Sequence, residues 1–269
     1  MGEFDLDTRV EGEGGRFRSE LSPDWEIWGP NGGYLAAIAL RAAGRAAAIP
    51  RPAGLSGHFL SVARFAPVAI EVDVLRSGRR SESLRVSIAQ EGRPVFEALV
   101  RTAALGAGLE HDAAPAPRVP DPETLSAPEE DEHHAFWRNF DCRWVQPPPR
   151  PREGREPLAP HWLSWHRFRP PLRRRDDPFL EAARALVLID TMSWPAASLP
   201  HPDSGYVAPN LDVTAWFHRG APESDWLLVE HEARVAEGGL IGTVGRVFSR
   251  DGRLLASGGA QLFCMPSPA

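Results

Sequence analysis

Hydrophobic and polar positions alternate with two different periods along this chain, and the order of the two is the same in both halves. In the first half, residues 4–10 and 16–21 read as short strands. Pro30-Asn31-Gly32-Gly33 then opens an alanine- and leucine-rich run at 34–48, apolar around most of its circumference, which predicts a buried helix. Asn31 suits the N-cap, and Gly32 and Gly33 permit close backbone approach at the helix start. Four strands are predicted after it, at 55–65, 68–75, 81–90 and 94–103, with turn signals at Ser77-Gly78 and Glu91-Gly92. In the second half, strands at 140–145 and 162–169 precede a helix from Asp177-Pro178 to about residue 192. Four more strands follow, at 211–219, 226–235, 240–250 and 254–263.

Local matches support an internal duplication. Arg64-Phe65-Ala66-Pro67 parallels Arg219-Gly220-Ala221-Pro222, and Glu91-Gly92-Arg93 parallels Asp251-Gly252-Arg253. Between the halves, 14 of the 27 prolines fall within residues 107–178, and the run Glu129-Glu130-Asp131-Glu132 has no sustained periodicity. Such a composition reads as a solvated linker. The expected division is an N-terminal domain at 1–105, an acidic proline-rich linker at 106–137 and a C-terminal domain at 138–269. The expected class is α+β, with two antiparallel sheets, each wrapped around a long central helix.

Composition narrows the chemistry. All 30 basic residues are arginine. The absence of lysine excludes Schiff-base enzymes, Walker-type phosphate loops and protein kinases. Two cysteines, Cys142 and Cys264, cannot form a disulfide framework or a four-cysteine zinc site. A net charge of −6 argues against nucleic acid as the partner. Residues 1–10 are acidic and the run at 34–49 is too short and too charged to span a bilayer, so no membrane association and a cytoplasmic location are expected. No Gly-x-Ser-x-Gly, His-Glu-x-x-His or strand-linked Gly-x-Gly-x-x-Gly is present, and no metal or other cofactor is expected.

The segments Trp28-Gly29-Pro30-Asn31-Gly32-Gly33-Tyr34, Val74-Leu75-Arg76-Ser77-Gly78-Arg79 and Leu211-Asp212-Val213-Thr214-Ala215-Trp216-Phe217-His218-Arg219 resemble the acyl-CoA thioesterase II-like family, as do Trp226-Leu227-Leu228 and Asp251-Gly252-Arg253-Leu254-Leu255-Ala256-Ser257. The resemblance covers nearly all of the chain outside the linker, and it implies a double hotdog fold and hydrolysis of acyl-CoA thioesters. In that family an aspartate, a hydroxyl and a glutamine hold the attacking water. The aspartate carries over to Asp212 and the glutamine to Gln261, whereas the hydroxyl position is filled by Arg234. Thr214, two residues from Asp212, is the replacement hydroxyl on the same strand face.

Thioester hydrolysis needs an activated water and a donor to the developing oxyanion. Asp212 supplies the first, and the backbone N–H groups of Gly32 and Gly33, with Asn31 as cap, supply the second. His58, on the first strand after the helix, is a further substrate-side candidate. Arg64, Arg76, Arg79 and Arg80 are candidates for coenzyme A phosphates. The alternatives are that Asp212 is a solvated sheet residue, that Gly32-Gly33 only permits packing, and that Gln261 is an ordinary sheet polar residue. At the level of the protein, the alternatives are a non-catalytic acyl-CoA or acyl-carrier binding protein on the same fold, motivated by Arg234, or a protein whose sheets serve only assembly. A homodimer or higher homo-oligomer is expected from the pairing habits of hotdog sheets.

Overall fold

In the computed structural model, residues 1–128, 134–145, 156–173, 176–202, 204–220 and 223–267 are described. The α-helices among the described residues are α1 (Phe4–Asp7), α2 (Gly32–Ala46), α3 (Pro178–Thr191) and α4 (Ser193–Ser198). The strands of the first half are β1 (Glu11–Glu13), β2 (Arg16–Glu20), β3 (Pro52–Phe59), β4 (Pro67–Ser77), β5 (Ser81–Gln90) and β6 (Arg93–Ala103). Those of the second half are β7 (Phe140–Trp144), β8 (His161–Phe168), β9 (Tyr206–Val207), β10 (Asp212–Phe217), β11 (Leu227–Glu237), β12 (Leu240–Ser249), β13 (Leu254–Gly259), β14 (Gln261–Phe263) and β15 (Met265–Pro266).

Thirteen of these strands form one continuous antiparallel sheet, where two separate sheets were expected. Its order is β1-β2-β4-β5-β6-β3-β10-β13-β12-β11-β8-β7, with β14 beside β12. The halves fuse because β3 and β10 pair along their edges, Ser56 opposite Thr214 and His58 opposite Asp212, so neither half keeps an open edge at the centre. Read inward from either side, β2-β4-β5-β6-β3 and β8-β11-β12-β13-β10 follow the same plan, which is the duplication legible in the sequence.

Helix α2 packs against the strands of the first half and α3 against those of the second, and the two helices lie against each other. Small residues set their closeness. A Cβ on Gly33 would lie 2.8 Å from Val187 Cα, and one on Gly44 would lie 2.6 Å from the Phe179 ring. The start of α2 therefore meets the end of α3, and the end of α2 meets the start of α3. Tyr34 to Leu40 are all buried, so this helix owes its stability to packing on every side rather than to one apolar stripe.

Three sequence expectations change. Residues 4–7 form a helical turn, not a strand, because Thr8 Oγ1 and the Glu3 N–H find partners within the turn while Phe4 packs against Trp25 and Phe168. The last predicted strand is interrupted at Ala260, whose N–H donates to Thr243 Oγ1 (3.0 Å), and it resumes as β14 in the same register along β12, Gly245 opposite Gly258 before the interruption and Gly242 opposite Gln261 after it. The connector is not merely solvated. Ala116, Val119 and Leu125 pack on Trp165, Trp226 and Phe248 on the outer sheet face. Trp165 Nε1 donates to Pro120 O (3.1 Å), and Arg250 pairs with Asp121 at 2.9 Å. The acidic run at 129–132 lies outside the described residues.

Candidate active site at the start of helix α2

The first turn of α2 carries four backbone donors without intrahelical partners, and the structure accounts for three of them. Asn31 N–H donates to Trp25 O (3.0 Å), and Tyr34 N–H donates to Asn31 Oδ1 (2.9 Å), which makes Asn31 the N-cap as expected from its residue type. Asn31 Nδ2 donates to Thr191 Oγ1 (3.1 Å) and so ties the cap to the end of α3. Gly33 N–H, expected to be unpaired, donates to Asp190 Oδ2 at 2.6 Å. Gly32 N–H has no hydrogen-bond partner among the described residues. A Cβ at Gly32 would fall 2.8 Å from the Phe59 ring and 3.1 Å from Asp190 Oδ2, so any side chain there would have to displace the Phe59 ring.

Asp190 is the group that sequence reasoning missed. It is 3% exposed, and its second oxygen accepts from Asn210 Nδ2 at 2.7 Å, the same amide that reaches Asp190 O at 2.9 Å. Burial pushes its carboxyl from 3.8 up to about 6. The bonds from Asn210 and Gly33 oppose that rise, and the charge of Asp212 adds to it. The signal was available: a carboxylate closing the run Leu186-Val187-Leu188-Ile189 has no reason to be buried unless a donor awaits it.

Asp212 stands at the first residue of β10, on the face opposite the buried Val213, Ala215 and Phe217. Its Oδ1 accepts from the main-chain N–H of Gln261 at 2.9 Å, and its Oδ2 has no hydrogen-bond partner among the described residues. Gln261 thus reaches Asp212 through its backbone, and the residue itself is exposed on β14. Its carbonyl accepts from Leu211 N–H at 2.7 Å, which pins the β10 start against β14. His58 is exposed and sits opposite Asp212 across the β3/β10 joint, where facing side chains lie about 5 Å apart at Cβ. Thr214 shares that face, and its hydroxyl is hydrogen bonded to Ser56 Oγ at 2.9 Å. Arg234 lies at the bulge of β11 and ion-pairs with Glu232 at 2.6 Å.

The structure therefore brings Asn31, Gly32, Gly33 and Asp190 together, and the chain just before Asp212 reaches them, because the Asn210 amide donates to Asp190 and Phe59, whose ring lies against Gly32, donates its N–H to Leu211 O. Arg64 pairs with Glu91, while Arg76, Arg79 and Arg80 are exposed at the β4/β5 hairpin. That hairpin lies toward the end of α2, since Glu82 accepts from Ile49 N–H at 2.9 Å. One further cluster, His161, Glu230 and Glu232, has ligand atoms within 4.8 Å of one another. Its carboxylates are already engaged by Arg246 at 3.0 Å and Arg234 at 2.6 Å, which lowers their value as cation ligands. Among the described residues, no helix is long and apolar enough to cross a membrane.

Comparison with known proteins places the chain. Residues 21–103 match the family model of the acyl-CoA thioesterase N-terminal domain, and residues 112–263 match that of the acyl-CoA thioesterase C-terminal domain. A tesB protein of Mycobacterium avium subspecies paratuberculosis is similar at 25% identity with a TM-score of 0.81, covering 98% of each chain. The acyl-CoA thioesterase II TesB2 of Mycobacterium marinum is similar at 24% identity with a TM-score of 0.81, again over 98% of each chain. A hot dog fold protein of unknown function from Alicyclobacillus acidocaldarius shares the fold at 22% identity and a TM-score of 0.84, covering 99% of this chain and 98% of its own.

Proposed function

Because the chain belongs to the acyl-CoA thioesterase family and is a thioesterase, we propose that it hydrolyses acyl-CoA at the start of α2, with Asp212 activating the water. The observation that carries the reading is the pairing of one open donor with one open acceptor. Gly32 N–H is the single first-turn donor of α2 without a partner among the described residues, and Asp212 Oδ2 has no partner among them either, two residues beyond the Asn210 that bonds Asp190.

The thioester oxygen docks on Gly32 N–H, at the positive end of the helix, where developing negative charge is stabilised. Asp212, held by the Gln261 N–H, takes a proton from water as the water oxygen attacks the carbonyl carbon. The carbon–sulfur bond then breaks, and the coenzyme A thiolate leaves and gains a proton. The products are the free acid and free coenzyme A. Asp190 fixes Gly33 and thereby aims the neighbouring Gly32 amide. His58 and Thr214 line the same sheet face on the substrate side of Asp212.

Release of free coenzyme A, followed with a thiol reagent across acyl chains of several lengths, tests the assignment. Asp212→Asn is expected to lower turnover by about 10²–10⁴-fold, the usual contribution of a positioned acid or base. Gln261→Ala retains the main-chain N–H and is expected to keep most activity. Wild-type turnover in Asp212→Asn would overturn the mechanism. Tight acyl-CoA binding without thiol release on any substrate would favour a carrier, the reading that Arg234 in the hydroxyl position first raised.

A further inference from the structure

At the far end of the helix pair from Gly32, a cavity of about 640 Å³ opens beneath the start of α3. Ile49, Pro52, Phe217, Leu227 and Leu255 supply apolar wall, and Ala182 of α3 forms part of its roof. The 15 residues of α2 separate its ends by roughly 22 Å. The intervening core is filled: Ile38, Ala39 and Leu40 are fully buried, and the Phe179 ring presses on Gly44. This cavity is therefore distinct from the space at Gly32.

The helix start above it is closed to a thioester oxygen. Pro178 has no N–H, and Asp177 Oδ1 accepts from both Phe179 N–H (3.0 Å) and Leu180 N–H (3.1 Å). Glu181 N–H donates to Asp177 O at 3.0 Å. No first-turn donor remains, in contrast to the open Gly32 amide on α2. The arrangement can hold a ligand but offers nothing to polarise a carbonyl.

Charge at the cavity points to one kind of head group. Asp176 also lines the cavity and is engaged by another group, Glu181 and Arg184 neutralise each other at 3.0 Å, and Arg219 pairs with Asp112 at 3.0 Å. Arg51 is different. Its guanidinium donates only to Ala103 O (3.4 Å) and His218 O (3.3 Å), and it meets no carboxylate among the described residues. A half-buried guanidinium bonded only to carbonyls, at the wall of an apolar cavity, suits a single carboxylate on an apolar chain.

We propose that this cavity is a second, non-hydrolytic site that binds a free fatty acid, with the alkyl chain between α3 and the sheet and the carboxylate on Arg51. The inference rests on the cavity and its charge, not on the mechanism assigned to Asp212. Titration of the full chain with a fluorescent dansylamino-undecanoate probe, competed by decanoate and by decanol, tests it. Saturable probe binding that decanoate displaces more strongly than decanol is expected. Arg51→Ala should weaken probe binding about tenfold or more, the loss of one charged hydrogen bond. Ala182→Trp should abolish it, while Asp212→Asn should leave it unchanged and Ala182→Trp should leave thiol release from butyryl-CoA unchanged. Three results would each overturn the proposal: no saturable binding, binding indifferent to both Arg51→Ala and Ala182→Trp, or loss of butyryl-CoA turnover in Ala182→Trp. The last would make the cavity part of the substrate site. Should Ala182→Trp fail to fold, Arg51→Ala decides alone. A chain that binds the probe but releases no thiol would refute the hydrolytic mechanism and leave this site standing.

Discussion

Replacing Asp190 by asparagine isolates the electrostatics of the α2 start. The carboxyl is 3% exposed and its ionisation is pushed from 3.8 to about 6, chiefly by burial. For an acid raised in the folded state, the sign is fixed. Well below pH 3.8 the group is protonated whether the chain is folded or not, and it favours neither state. As pH rises, the unfolded chain sheds the proton while the folded chain must retain it or ionise in a buried site. Above about pH 6 the folded state carries the full cost, about 3 kcal/mol at 1.36 kcal/mol per pH unit. Stability from this group is thus present at low pH and lost as pH rises through 6. Asparagine cannot ionise, so the variant escapes that loss. It incurs a different one, because both Asp190 oxygens accept hydrogen bonds, from Gly33 and from Asn210, and an amide presents an N–H₂ to one of those donors. That mismatch costs about 1–3 kcal/mol at every pH. Urea unfolding of both proteins near pH 4 and near pH 7 separates the two effects. The difference between variant and wild type should move by about 2 kcal/mol in the variant's favour between those pH values, since the unfolded carboxyl is already partly ionised at pH 4. A difference that does not change with pH would refute the assignment of a buried, pKa-shifted carboxyl.

Two further substitutions probe neighbouring claims. Gly33→Ala forces a Cβ to within 2.8 Å of Val187 Cα and 2.9 Å of Val187 O, backbone atoms that cannot step aside. A loss of about 1–3 kcal/mol in denaturant unfolding is expected, and an unchanged midpoint would mean that α2 and α3 are not so closely apposed. His231 is fully buried, neither ring nitrogen has a partner among the described residues, and burial, aided by His161, lowers its pKa from 6.5 to about 3. A base lowered in the folded state contributes stability that is lost as pH falls below 6.5, so His231→Leu should gain on wild type between about pH 6.5 and pH 4. Equal acid sensitivity of the two proteins in a circular-dichroism titration would contradict it.

Elements that depend on local pattern are legible in the sequence itself. The Asn31 cap, the buried helix behind it and the alternation of β10 follow from side-chain chemistry and a period of two or 3.6, and each forms within a residue or two of its expected place. What stays hidden depends on contacts between halves. That two sheets are one follows from the β3/β10 pairing, and a strand's own sequence does not say which edge it will meet. The break at Ala260 depends on the Thr243 hydroxyl, 17 residues away and on another strand. The outer-face packing of Val119 and Leu125 is invisible for the same reason, since proline-rich composition speaks of what a segment cannot do alone and not of what Trp165 and Trp226 offer it.

The site shows the same division more sharply. Residue type identifies a glycine pair at a helix start and a carboxylate in a strand, the two parts of the proposed site. Yet residue type cannot say which of the two amides is open. Gly32 and Gly33 are alike, and the difference lies in a carboxylate 157 positions beyond Gly33 that claims its N–H at 2.6 Å. In the proposed mechanism the second-half helix contributes by subtraction: by binding Gly33, Asp190 leaves Gly32 as the one open first-turn donor among the described residues. The same logic run at the other helix ends differently. Pro178 and Asp177 leave no open first-turn donor there among the described residues, so two helix starts of similar plan divide into one with an open amide and one with none, which is the difference that both proposals rest on.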